Sequence, residues 1–193
     1  MDFIVRNQGL LHISEEIFSN LDHTHLVKCQ NVNMFWKNTL DNFWLRKCLR
    51  KGLLTKKVQL TWTKLFQLPK NPYVWDKALF YLMEIHEKKL ANHTPIQMAL
   101  YHFDLEMIRF AAPLQDNPNE AFPVGSLFGL DGWTPIQVAA KKKYDEILEI
   151  LAPLADNLDA PAPDGMTPTT RAVMCGYGNI FRVLNKILCL QLK

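Results

Sequence analysis

The side chains best suited to chemistry are scattered along this sequence. His23 and His25 have the spacing of two metal ligands on a turn, but no third ligand stands near them, and a solvated turn accounts for the pair. His86 and His102 occur singly within expected helices. Glu15-Glu16 is an acidic pair at the start of an expected helix, where it suits the dipole. The cysteines Cys29, Cys48, Cys175 and Cys189 form no Cys-x-x-Cys pair and have no histidine at zinc-ligand distance, which is the pattern expected of reduced, mostly buried thiols. No glycine-rich phosphate loop, nucleophile elbow or His-Glu-x-x-His is present. The sequence therefore predicts no catalytic residues, no metal and no cofactor, and hence a protein that is not an enzyme.

Composition points the same way. A hydrophobic fraction of 48% with 21% charged residues is that of a folded globular chain. The net charge of +3 names no partner. Between Lys37 and Lys70 nine basic residues face a single acid, Asp41. Such a stretch can grip phosphates, but it reads better as the solvated face of helices, because the fold signatures of nucleic-acid modules are missing. The start of the chain lacks the features of a signal peptide, and no run reaches the length of a membrane span. The expected location is cytoplasmic or nuclear.

The elements that must position any site show a period. Asp131-Gly132-Trp133-Thr134-Pro135 recurs as Asp164-Gly165-Met166-Thr167-Pro168, an offset of 33. Ala139, Ile147, Ile150 and Leu151 keep step with Ala172, Ile180, Val183 and Leu184. A third copy lies upstream, where Thr94-Pro95-Ile96-Gln97-Met98-Ala99 matches Thr134 to Ala139 at an offset of 40. About seven residues are therefore inserted between Asn117 and Asp131. Each copy reads as a turn, a short helix, a loop and a second helix. Asp-Gly makes the turn, Thr caps the free amides, and Pro at the first helical position loses no hydrogen bond. Pro113 and Pro153 end the second helix of their copies.

This period and the Asp-Gly-x-Thr-Pro-Ile-x-x-Ala-Ala pattern resemble the ankyrin repeat. The resemblance implies an all-α fold with three repeats at about 91–130, 131–163 and 164–193. Gln97 and Gln137 replace the family's usual histidine, and Thr169-Thr170 stand where Leu-His is expected. The glycine expected between paired helices is kept only as Gly176, with Lys143 and Phe103 in the equivalent places.

Residues 10–50 have a different grain: three short helices with apolar faces. Ile17-Phe18-Ser19-Asn20-Leu21-Asp22, Leu26, Val32-Asn33-Met34-Phe35-Trp36 and Trp44 resemble the F-box, the adaptor motif of cullin-type ubiquitin ligases. Gly9-Leu10 stands in place of that family's opening Leu-Pro. The same helices would also serve as a cap for the repeats. Residues 51–90 form a helical connector, with amphipathic segments at Leu53–Leu68 and Val74–Leu90 broken at Pro69-Lys70-Asn71-Pro72.

The two resemblances together imply a substrate-recruiting adaptor. Ile13, Ile17, Phe18, Leu21 and Leu26, with Trp36 and Trp44 as anchors, would face the Skp subunit of a Skp–cullin–F-box ligase. A protein substrate would lie on the repeats' turn tips and first helices: His93, Gln97 and Tyr101, then Trp133, Gln137 and Lys141, then Met166 and Arg171. Phe122, Leu127 and Phe128 of the insertion would add to that surface. The alternative is an ankyrin scaffold or inhibitor with no ligase connection. Membrane and nucleic acid are not expected partners.

Overall fold

A computed structural model of the chain describes residues 20–21, 25, 45–66, 71–126 and 129–191, with the backbone alone for Pro72 and Gln191. Among the described residues the regular structure is entirely helical: α1 (Lys56–Phe66), α2 (Pro72–Lys88), α3 (Pro95–Tyr101), α4 (Leu105–Ala111), α5 (Pro135–Lys142), α6 (Asp145–Leu151), α7 (Pro168–Met174) and α8 (Gly178–Gln191). Residues 45–50 are also helical. No described helix is long and apolar enough to cross a membrane.

The helices begin where local chemistry starts them. Asn71 caps α2, its Oδ1 accepting from the amides of Tyr73 and Val74, and Pro72 takes the first turn. Thr94, Thr134 and Thr167 cap α3, α5 and α7 in the same way, each followed by a proline. At Thr94 and Thr134 the cap is reciprocal: the side chain of Gln97 or Gln137 accepts from the threonine amide in return. The second helices α4 and α6 tighten into 3-10 turns at Ala112–Leu114 and Ala152–Leu154, where Pro113 and Pro153 stand.

Between the helices of each pair the chain passes through a left-handed residue: Phe103 (φ 54°), Lys143 (φ 62°) and Gly176 (φ 68°). The next amide then returns to an alanine carbonyl of the first helix: Asp104 to Ala99, Tyr144 to Ala139 and Tyr177 to Ala172, all at 2.8–2.9 Å. Only the third copy keeps the glycine that makes this conformation cheap, yet all three adopt it. The two side-chain-bearing positions bear a cost that the rest of the turn outweighs.

The pairs α3–α4, α5–α6 and α7–α8 stack in order, first helix on first helix and second on second. One continuous core runs through the stack, from Ile96, Met98 and Ala99 through Ile136, Ala139, Ala140, Ile147 and Leu148 to Ile180 and Leu184. The small Ala99, Ala139 and Ala172 allow the close approach. Helices α1 and α2 close the first pair's outer side: α2 packs on α3 and α4, burying Tyr81, Leu82 and Ile85 completely. Trp62 of α1 is fully buried, and its indole N–H donates to the carbonyl of His93 (3.1 Å). Asn92, with a φ of 57°, stitches the connector further, donating its amide to Leu53 O and accepting at Oδ1 from Thr55 N.

Candidate binding groove on the first helices

The ends of α3 and α5 and the inserted loop enclose a hollow of about 260 Å3. Leu100, Leu130 and Val138 form its apolar floor; Tyr101, Tyr144, Lys141 and Lys142 stand around it. Leu130 comes from the insertion. The insertion itself is looped out of an otherwise repeated turn. Phe122 exchanges hydrogen bonds with Trp133 and Gly132, as Ala162 does with Met166 and Gly165, so the extra residues sit within the finger between them. Ser126 pins that finger, donating amide and hydroxyl to Asp131 Oδ1 at 2.8 and 2.7 Å. These bonds hold the Asp131 carboxyl below the usual carboxylate range.

The expected surface residues divide sharply. Lys141 is exposed, and Tyr101, Met166 and Arg171 are half-buried. His93, Gln97, Phe122, Trp133 and Gln137 are buried, none more than 5% exposed, which corrects the expectation that they face a partner. Leu127 and Phe128 lie outside the described residues, as do Ile13, Ile17, Phe18, Leu26, Trp36 and Trp44. Leu21 is described, half-buried against the core.

Each burial has a local cause. His93, Trp133 and Met166 occupy the same slot before the capping threonine, and the turn folds that slot over its neighbour. Trp133 is covered by Lys141, whose Nζ lies 4.0 Å from the ring centroid, and by Arg171 at 5.3 Å. Arg171 is held there by an ion pair with Asp164. His93 lies edge-on to Phe122 at 6.1 Å, its Nδ1 3.0 Å from Ala91 O. Burial depresses its pKa below the ordinary histidine value. The glutamines are ties between units: Gln97 Nε2 donates to the carbonyls of Glu120 and Ala121, and Gln137 Nε2 to that of Ala160. Thr-Pro-Ile-Gln is itself a capping-box spacing, and that signal in the sequence marks both glutamines as structural. For Leu130, Val138, Lys142 and Tyr144, absent from the expected surface, no sequence signal exists, since the hollow is closed by an insertion that follows no period.

No family model, curated protein or solved structure matches the chain. The chemistry of the site therefore rests on its own residues. Asp104, Glu84 and Cys48, ionisable groups buried elsewhere, have structural partners. Asp104 caps α4 and accepts the hydroxyls of Tyr73 and Tyr81. Burial pushes Glu84 up, but hydrogen bonds from Lys88 and His102 outweigh it and leave the carboxyl below its usual range. Burial pushes the Cys48 thiol up to about 12, so it stays protonated. Among the described residues no three His, Cys, Asp or Glu side chains gather as metal ligands. What the groove offers is an apolar floor with cations at its rim, the composition of a binding hollow.

Proposed function

We propose that this chain is an adaptor: ankyrin-type repeats hold a partner protein in the groove between the first helices, and the N-terminal F-box-like module couples that partner to the Skp subunit of a Skp–cullin–F-box ubiquitin ligase. The observation that carries the first half is the stack of three helix pairs. Each is entered through a capped Thr-Pro turn and passed through a left-handed residue in register, with the groove open between the first and second units. The second half is supported by the F-box-like residues Ile17 to Asp22, Leu26, Trp36 and Trp44 in the sequence. Such a protein does no chemistry; it raises the effective concentration of its cargo at the transfer machinery.

Gel filtration of the full chain with a purified Skp subunit tests the ligase connection. Co-elution is expected, and Phe18→Asp is expected to abolish it while the melting transition of the repeats is kept. Failure of the unsubstituted chain to co-elute leaves the scaffold reading, which the Gly9-Leu10 start favours.

A further inference from the structure

The row of first helices is one-sided in charge. Helices α3, α5 and α7, which form the row of first helices, carry Lys141, Lys142 and Arg171 and no acid. Helix α6, paired with α5, carries Asp145, Glu146 and Glu149 and no cation. Several described cations near the stack meet a carboxylate: Arg171 meets Asp164, Lys88 meets Glu84, Lys57 meets Glu120 and Lys64 meets Asp116. Lys141 and Lys142, at the rim of the apolar hollow, form no ion pair with any described carboxylate. Lys141 rests over Trp133, and Lys142 is exposed.

We propose that the groove selects an acidic segment of a partner protein. An apolar side chain of that segment sits on Leu100, Leu130 and Val138, and its neighbouring carboxylates meet Lys141 and Lys142. This rests on the adaptor reading only in taking the groove as the cargo site. Lysines beside an apolar floor, Lys142 exposed and Lys141 over Trp133 within reach of Asp164, give such a segment both steering and a desolvated seat. A nucleic acid fits less well. It needs a track of cations and free aromatic faces. Here the two rings are already engaged, Tyr144 against Phe103 at 4.5 Å and Tyr101 against His102 at 4.7 Å. A second copy of the chain would bring the same lysines near one another across a two-fold axis.

The test is fluorescence anisotropy on the full chain. The probe is a labelled peptide with a central Leu-Phe pair between runs of Glu. Its counterparts are the same peptide with Gln for Glu, and single-stranded oligothymidylate. The Glu peptide is expected to bind, to weaken as salt rises, and to lose about tenfold in affinity in Lys142→Glu, with Lys142→Arg restoring it. An unchanged melting curve shows that Lys142→Glu folds, since this side chain is exposed. Absence of binding, equal binding of the Gln peptide, insensitivity to Lys142→Glu, or binding of the oligonucleotide in place of the peptide each overturns the proposal. Skp co-elution of the same variant reads the ligase connection separately, because Lys142 is far along the chain from the F-box-like residues.

Discussion

His93 shows how a single slot changes role once the chain is folded. A histidine in a polar turn before Thr-Pro looks like a contact residue; at 1% exposure it is a core residue, and its Nε2 has no hydrogen-bond partner among the described residues. Its folded pKa is depressed by burial, and that of His86 is lowered by burial and by Lys51 and Lys47. A depressed histidine is neutral in the folded chain when the unfolded chain already takes a proton, at about pH 6.5. The stabilisation is therefore complete above that pH, declines as the pH falls below it, and levels off beneath the folded value. Glu84, also depressed, adds a further loss starting near the ordinary glutamate value of about 4.3. Melting temperatures measured from about pH 7 to 5 should fall. His93→Gln should flatten that part of the curve without removing the acid limb. An identical slope in the variant would show that His93 titrates alike in both states.

At the scale of the element, the glutamines of the Thr-Pro-Ile-Gln turns join the cap of one helix to the loop of the next unit. Gln137 accepts from Thr134 N and donates to Ala160 O, at 4% exposure. Gln137→Leu keeps the volume but leaves a carbonyl and an amide without partners, and should cost about 1–3 kcal/mol. Thr134→Ala removes only the cap and should cost about 1 kcal/mol. In urea melts the double variant should lose less than the sum, because both changes dismantle one reciprocal cap. Additive losses would mean the tie to Ala160 works independently of the cap. In the third copy Thr170 takes this place and bonds back to Thr167. That device therefore ties the first two units forward and only closes the third on itself.

For the whole molecule, the connector matters as much as the repeats. Helix α2 covers the first pair, and its Tyr73 and Tyr81 hydroxyls satisfy the buried Asp104 that caps α4. A chain beginning at Ala91 would uncover the sides of α3 and α4 on which α2 packs and strip Asp104 of both tyrosines. Stacked units draw much of their stability from neighbouring interfaces. The fragment Ala91–Lys193 should be insoluble or should melt at least about 10 °C below the full chain, given several kcal/mol lost and the size of the domain. An unchanged thermal transition would show that α1 and α2 add nothing to the stack.

The sequence by itself determined the features whose causes lie within a few residues: helical structure throughout the repeats, the Thr caps, the proline ends and the insertion between Asn117 and Asp131; the connector break expected at Pro69-Lys70-Asn71-Pro72 lies in part outside the described residues. A cap or a turn is decided by its own side chain and the next three amides, so the residues state it directly. Tertiary structure decided which way the slot residues face. Trp133 becomes a covered ring because Lys141 and Arg171, from α5 and α7, reach across it. Gln97 becomes a tie because a loop more than twenty residues away brings carbonyls to it. Tyr101 and Lys141, expected at the surface as separate contacts, share one hollow because the insertion supplies Leu130 to close it. Whether a side chain is buried depends on the unit stacked against it, and the register of one copy carries no record of what its neighbour presents.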